Sequence, residues 1–128
     1  MPLARYKVGA LVAVSDMKRA TDFYEQKLGL MTRGDDLDGG RTYMCGEQTM
    51  LHVFPSAGNA GASQATVAGW YVDDIESVVD ELTANGITFE QYDEPPIATD
   101  ARGIAVLGTS KGAWFRDPDG NILGLLQE

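Results

Sequence analysis

The chain has 128 residues, 44% of them hydrophobic and 23% charged, a composition typical of a single globular domain. Its formal net charge of −9 argues against a nucleic-acid partner, because phosphate groups require a basic protein surface. No apolar run approaches the roughly 18–20 residues that cross a bilayer, so we expect no membrane partner.

The cysteine content and the start of the chain favour a cytoplasmic location. Cys45 is the only cysteine, which excludes an internal disulfide. The first residues lead directly into a strand and show neither a signal peptide nor a lipidation motif. We therefore expect a protein of the reducing cytoplasm.

The first half of the chain predicts a strand, a helix and two further strands. An apolar strand is predicted over residues 7–14. Ser15 or Asp16 can cap a helix that stops at Gly29. The apolar stripe of this helix consists of Ala20, Phe23, Tyr24 and Leu28. The remaining elements are a polar loop or edge region at 32–40 and short strands at 41–46 and 49–54.

The pattern restarts after a small, polar, glycine-rich stretch at residues 55–64, which is typical of a linker. A second helix is predicted over 73–87, with one apolar face and with Gly86 as its stop. The apolar face consists of Ile75, Val78, Val79 and Leu82. The predicted strands of this half lie at 66–72, in the first part of 88–96, within 100–118 as one or two strands, and at 121–127.

The two halves of the sequence align with each other. "VSDMKRATDFYEQKLGL" lies over "VDDIESVVDELTANGIT", and the last strands superpose with His52 over Gly124. Each half reads strand–helix–strand–strand, with room for one more strand. We predict a tandem duplication within one domain. The single domain spans residues 1–128. It consists of a first module at about 6–54, the linker at about 55–64 and a second module at about 65–128.

A tight acidic turn, Asp117–Asn121, precedes the last strand. It lacks the spacing and the terminal glutamate of an EF-hand loop. Proline and glycine supply the backbone angles that a tight turn needs. We therefore predict a structural turn here and not a cation site.

Three stretches carry a family resemblance when they are taken together. They are "VAVSDMKRATDFYEQKLGL", "YVDDIESVVDELTANGITF" and "FRDPDGNILGLLQ", in this order and at these separations. The sequence thereby resembles the vicinal oxygen chelate superfamily, which includes glyoxalase I, extradiol dioxygenases, fosfomycin-resistance enzymes and bleomycin-resistance proteins. The resemblance implies an α+β fold of two tandem βαβββ modules. Their mixed sheet would form an open cup around a ligand cavity, with the helices outside, and the protein would be a homodimer.

The same resemblance implies where a divalent metal would be held. Counted from the motifs, the four ligand positions read Gly9, His52, Val67 and Gly124. Members of the family usually carry His, Glu or Gln there, and only His52 has a side chain that can bind a metal. We therefore expect no metal at these positions and no other cofactor.

Alternation along the strands divides their side chains between two faces. The face with the four family positions mixes small, aromatic and polar residues, whereas the opposite face is apolar and includes Trp70, which we predict to be core. A face of small residues with a few aromatic and polar groups favours a small-molecule site. The predicted ligand-binding residues are His52, Phe54, Tyr71, Leu11 and Met50, with Tyr43 and Trp114 as further candidates on the inner strands.

Two functions follow as alternatives. The first is a metal-free protein that binds a small organic molecule and resembles the ligand-sequestering bleomycin-resistance proteins. The acidic net charge is compatible with a cationic ligand. The alternative is a lyase, isomerase or dioxygenase-like enzyme of the same superfamily. It would use His52 as an acid or base together with pocket residues, with or without a non-standard metal site.

Overall fold

Residues 2–94 and 97–128 are described by a computed structural model. The chain divides into two compact units, Met1–Ala60 and Gly61–Glu128, with the boundary inside the predicted linker. Each unit contains its own four-stranded sheet. Among the described residues, no helix is long and apolar enough to pass through a bilayer.

The first unit is a strand, a helical segment and three more strands. Its sheet has the order β1-β4-β3-β2, in which β1 is parallel to β4 and the other pairs are antiparallel. Its elements are β1 (Ala10–Val14), α1 (Met17–Thr21), a π-helical segment (Asp22–Lys27), β2 (Met31–Asp35), β3 (Arg41–Met44) and β4 (Met50–Pro55), with short 3-10 turns at Leu3–Arg5 and Gly46–Gln48.

The first helix begins at the predicted cap and ends at the predicted glycine. The Asp16 side chain accepts hydrogen bonds from the backbone N–H groups of Lys18 at 2.9 Å and Arg19 at 3.2 Å. After one α-helical turn the helix widens into the π-helical segment, and Gly29 follows with a positive φ of 73°. The predicted single helix is therefore two helical types in sequence.

The second unit repeats this topology. Its sheet has the order β5-β10-β9-β8, again with the first and last strands of the module parallel. Its elements are β5 (Thr66–Tyr71), α2 (Ile75–Ala84), β6 (Asp93–Glu94), β7 (Ile97–Ala98), β8 (Ile104–Leu107), β9 (Ser110–Arg116) and β10 (Ile122–Gln127). The prediction of an α+β fold with two βαβββ modules is confirmed, and the small β6–β7 pair is an addition to it.

The region predicted as strand and then loop at 88–96 holds little regular structure. Phe89 forms an isolated bridge with Phe115, and β6 adds two residues. Pro95 and Pro96, which belong to this predicted region, lie outside the described residues.

The helix of the second unit packs with the predicted apolar face inward. Ile75, Val79 and Leu82 are buried, whereas Val78 is only half-buried. The Asp74 side chain caps the helix by accepting from the backbone N–H of Ser77. Burial of three large side chains along one stripe holds the helix on its sheet.

The apolar faces of both sheets supply the cores. Val12, Val14, Leu51, Val53, Leu123 and Leu125 are all at most 4% exposed, as the alternation predicts. Two predictions need correction. Val8 is 87% exposed and lies before β1, so the strand begins later than its apolar sequence indicates. Trp70 is half-buried and is not a core residue.

The acidic turn is built by its own side chains, as predicted. The buried Asp117 carboxylate accepts hydrogen bonds from the backbone N–H groups of Asp119 and Asn121, both at 2.9 Å, and from the Asn121 amide at 2.8 Å. Asn121 in turn accepts from the backbone N–H of Gly61 at 3.1 Å. The turn therefore fixes the entry into β10.

Candidate functional site

A cavity of about 320 Å³ lies on the second sheet. It is formed where β5, β10 and β9 run side by side. Its lining consists of Thr66, Gly69, Trp70, Tyr71, Trp114, Gly124, Leu125 and Leu126. A concave site of this size, lined largely by apolar and aromatic groups, has the form of a small-molecule pocket.

Strand register brings the central residues of this cavity together. Gly124 in β10 lies opposite Trp114 in β9 and opposite Gly69 in β5. Leu126, two residues along β10, lies opposite Tyr71. Directly opposed residues share one face of a sheet, so the predicted facing of Tyr71 agrees with the register, and the register places Trp114 on the same face.

The two glycines of the cavity differ in what an added side chain would contact. A Cβ atom on Gly69 would lie 3.1 Å from the carbonyl oxygen of Gly124, so a side chain there would require the backbones of β5 and β10 to move apart by a few tenths of an ångström. A Cβ atom on Gly124 would lie 3.3 Å from Cδ1 of Trp114 and 3.4 Å from Cγ2 of Thr66. Side chains, which can change rotamer, therefore border the space next to Gly124, and the nearest of them is the Trp114 indole.

The cavity presents a flat aromatic surface and few polar groups. Trp114 also contacts Tyr92 edge to face, with ring centroids 5.8 Å apart, which supports the indole from behind. The indole N–H groups of the two tryptophans and the hydroxyls of Thr66 and Tyr71 are the polar side-chain groups of the described lining. No side chain that lines the cavity carries a charge.

A second group of chemically active side chains lies on the first sheet, around His52. Nε2 of His52 lies 2.7 Å from Oδ2 of Asp38, and Nδ1 lies 3.1 Å from Oδ2 of Asp36. The hydroxyl of Thr42 lies 2.9 Å from Nδ1 and donates to Asp36 at 2.7 Å. The hydrogen bond with His52 holds the pKa of Asp38 below its usual value of 3.8.

Strand pairing explains which predicted residues surround His52. Phe54 stacks on the imidazole, with ring centroids 5.8 Å apart and an interplanar angle of 9°. Leu11 lies opposite His52 in β1 and is 65% exposed, and Met50 is half-buried two residues earlier in β4. His52, Phe54, Leu11 and Met50 therefore share one face of the first sheet, while Tyr71 and Trp114 belong to the cavity of the second unit.

Tyr43, a further candidate on the inner strands, does not lie on this face. Thr42, and not Tyr43, is the residue opposite His52, so Tyr43 points to the other side of the sheet. There it is fully buried, stacks on Tyr24 and donates its hydroxyl to Glu25 at 2.9 Å. Burial and the neighbouring carboxylate raise the pKa of Tyr43 above its usual value.

Sequence reasoning missed the partners of His52. Asp36 and Asp38 lie in the hairpin between β2 and β3, which was predicted only as a polar loop or edge region. The signal was present in "GDDLDGG", an acidic and glycine-rich stretch between two strands. Its contact with β4 depends on how the hairpin folds back, which strand alternation does not reveal.

The sequence matches the profile of the Glyoxalase/Bleomycin resistance protein/Dioxygenase superfamily over residues 8–125. The chain belongs to this superfamily. No curated protein matches the sequence.

Solved structures of the superfamily share the fold over nearly the whole chain. A glyoxalase family protein from Enterococcus faecalis is 22% identical, with a TM-score of 0.71, over 98% of this chain and 99% of its own. A member of the superfamily from Sphaerobacter thermophilus DSM 20745 is 27% identical, with a TM-score of 0.66, over 96% and 97%. TnmS3, an antibiotic binding protein from Streptomyces sp. CB03234, is 22% identical, with a TM-score of 0.67, over 96% and 97%.

The residues at the four family metal positions do not fit a divalent metal. Gly9, Val67 and Gly124 have no donor atom in their side chains, which leaves His52 alone. At Gly124 the indole of Trp114 borders the space where a ligating side chain would begin. We therefore derive no chemistry from a metal held in the family's pattern.

Proposed function

We propose that the protein binds the flat, uncharged ring system of a small organic molecule in the cavity at Gly124 and sequesters the molecule without the help of a metal. The observation that carries this proposal is the lining of the cavity, which among the described residues combines two indoles, a phenol and two glycines with no charged side chain. Such a lining favours an aromatic ring system, because ring stacking and apolar burial supply most of the binding energy.

The volume of the cavity limits the size of the ligand. A protein cavity of about 150 Å³ holds one benzene molecule. The cavity on the second sheet, at about 320 Å³, is about twice as large. It therefore suits a bicyclic ring system, or the flat end of a larger molecule whose remainder stays in solvent.

The chemistry of the lining favours binding over catalysis. No lining side chain is a carboxylate, imidazole, amine or thiol, the groups that usually act as acids, bases or nucleophiles. Among the proteins with the same fold, TnmS3 is an antibiotic binding protein. That likeness supports a ligand-binding role as one use of the fold, and the ligand has to be identified for this chain itself.

Charge, oligomeric state and compartment are proposed as well. The net charge of −9 favours a ligand whose solvent-exposed part is cationic, because the acidic surface attracts it over long range. We also propose a homodimer, which the family resemblance implies, and a cytoplasmic location, which the single cysteine favours. Light scattering at several protein concentrations measures the oligomeric state directly.

The enzymatic alternative rests on His52. Its Nε2 lies 2.7 Å from Asp38, and a carboxylate that orients an imidazole is the arrangement of a general base. If the protein turns over a substrate, replacement of His52 by glutamine should lower kcat by about 10²–10⁴-fold. An unchanged kcat would exclude this role.

Tryptophan fluorescence tests the binding proposal, because both tryptophans of the chain, Trp70 and Trp114, line the cavity. Untagged protein would be titrated with a panel of uncharged bicyclic aromatic compounds, such as 1,4-naphthoquinone, and with cationic aromatic dyes. We expect saturable quenching at one site per chain by members of the uncharged group, together with a rise in melting temperature.

Two glycine substitutions make a matched pair for this experiment. Gly124→Leu fills the cavity and should abolish the quenching. Gly58→Leu adds the same side chain in a loop where nothing lies within 4 Å of the new Cβ atom, and it should leave the quenching unchanged. A panel without a saturable ligand, or a ligand that Gly124→Leu still binds, would contradict the proposal.

A further inference from the structure

The side chains around His52 bring four donor groups together on the first unit. One donor atom each from Asp36, Asp38 and His52 lies within 4.8 Å of the others. The hydroxyl of Thr42 adjoins them through its hydrogen bond to Asp36. This group is separate from the cavity of the second unit, and the proposed binding function makes no use of it.

The group is anchored to the sheet. His52 and Thr42 are opposed residues of β4 and β3, and Phe54 covers one face of the imidazole. The hairpin that carries the aspartates closes with a hydrogen bond from the backbone N–H of Asp36 to the carbonyl of Gly40 at 2.8 Å, and the N–H of Gly40 donates to Asp38 at 2.8 Å. These bonds hold both carboxylates beside the imidazole.

Close packing under the hairpin fixes its position further. A Cβ atom on Gly40 would collide with the carbonyl oxygen of Val53 and would lie 2.8 Å from Cα of Phe54. Only glycine allows the hairpin to lie this close to β4. The distance between the carboxylates and His52 is therefore set by backbone contacts as well as by hydrogen bonds.

The charges of Asp36, Asp38 and His52 do not sum to zero. Among the described residues, Asp36 and Asp38 form no ion pair with lysine or arginine, and His52 is their basic partner. Arg41, three residues after Asp38, is occupied by Asp35 at 2.8 Å and by Glu25. Two carboxylates and a protonated imidazole sum to −1, whereas two carboxylates, a neutral imidazole and a divalent cation sum to zero.

We propose that Asp36, Asp38 and His52 bind a first-row divalent cation of the zinc class. Imidazole nitrogen and carboxylate oxygen are ligands of Zn²⁺ at about 2.0–2.2 Å, which places tetrahedral donors about 3.4 Å apart. Asp38 lies 2.7 Å from Nε2 and Asp36 lies 3.1 Å from Nδ1, so the two carboxylates contact different ring nitrogens. An ion binds only one of these nitrogens, and the aspartate at the other nitrogen has to rotate toward the ion within a group 4.8 Å across. Thr42 orients Asp36 from outside the coordination shell.

This donor set differs from the family pattern that the resemblance implies. There the ligands come from the first and last strands of both modules. Here one strand, β4, and the hairpin between β2 and β3 supply all three ligands. The three protein ligands leave coordination positions open to water or to a further ligand.

His52 is the only histidine of the chain, so its ring nitrogens give an unambiguous signal in ¹⁵N NMR. Protein produced without a histidine tag and treated with a chelator would be titrated with ZnCl₂ at neutral pH. We expect a saturable shift of one ring nitrogen at one zinc per chain. Calorimetry would provide the affinity.

Three aspartate variants separate coordination from general electrostatics. Asp36→Asn and Asp38→Asn should each weaken zinc binding by about 10–100-fold or more, since loss of even an outer-shell partner has that effect. Asp35→Asn removes the same charge from the neighbouring residue, which contacts Arg41 and not His52, and should bind as the unchanged protein does. Circular dichroism would show that the variants fold.

Two results would overturn the proposal. One is the absence of a saturable shift of the His52 nitrogens at excess zinc. The other is an equal loss of affinity in Asp35→Asn and Asp38→Asn, which would mean that net charge alone attracts the ion. Neither result bears on the cavity of the second unit, because quenching of Trp70 and Trp114 reports on that site independently.

Discussion

Replacement of Gly124 by alanine tests whether this glycine borders free space. The added methyl group would lie 3.3–3.4 Å from Trp114 and Thr66, so the indole has to move by a few tenths of an ångström. Alanine in place of glycine favours the strand by roughly 0.5–1 kcal/mol, and one buried methyl group adds about 0.8 kcal/mol. An indole displaced from its rotamer costs about 0.5–1.5 kcal/mol. The free energy of unfolding should therefore stay unchanged or rise by about 1 kcal/mol, which raises the melting temperature by at most about 3–5 °C.

Gly40→Ala provides the comparison, because the same methyl group would there collide with the backbone of β4. We expect Gly40→Ala to lower the free energy of unfolding by about 1–3 kcal/mol. Urea unfolding followed by circular dichroism measures both variants on one scale. If Gly124→Ala were destabilised as much as Gly40→Ala, close packing would require a glycine at position 124, and Gly124 would not border free space.

Three further predictions concern buried and paired groups. Asp117→Ala should lower the free energy of unfolding by about 3 kcal/mol, because buried N–H groups of the turn lose their acceptor; urea unfolding measures this. Tyr43→Phe should cost about 1 kcal/mol through loss of the hydrogen bond to Glu25. The pKa of Tyr43 is raised in the folded state, so the contribution of its neutral phenol to the free energy of unfolding is complete below about pH 10 and is lost at higher pH. The free energy of unfolding of Tyr43→Phe should therefore fall less steeply at alkaline pH. The pKa of Asp38 is lowered by His52, so the contribution of its carboxylate to the free energy of unfolding is present above pH 3.8 and is lost as the pH falls further. The free energy of unfolding of Asp38→Asn should therefore depend less on pH in the acid range. An unchanged dependence would contradict the contact with His52.

Local signals were sufficient to predict most of the fold. The spacing of Ile75, Val79 and Leu82 and the capping side chain of Asp74 lie within one helix, and both are visible in the sequence. The repeated order of elements then indicated two βαβββ modules. The start of β1 was placed too early because Val8 is apolar, although it is 87% exposed, and an apolar residue does not by itself define a strand.

Prediction of the candidate sites depended on strand register. In β10 the alternation could be counted from a distinctive turn, and Gly124 and Trp114 do lie opposite each other. In β3 no such reference existed, so the facing of Tyr43 stayed open in the sequence, and the register places Thr42 opposite His52. The approach of Asp36 and Asp38 to His52 joins residues 14 or more positions apart through a hairpin, and no periodic pattern of the sequence contains that contact.

The order of the strands has a consequence for how the chain folds. In each module the strand that comes last in sequence, β4 or β10, is one of the two inner strands of the sheet and lies between the first strand and β3 or β9. The pairing of β5 with β10 joins residues more than 50 positions apart, and such distant contacts form slowly. During synthesis, β5 and β9 lack the strand that pairs with both of them until Ile122–Gln127 has left the ribosome. Deletion of Ile122–Gln127 would remove 6 residues, yet it would leave the second sheet without one of its two inner strands.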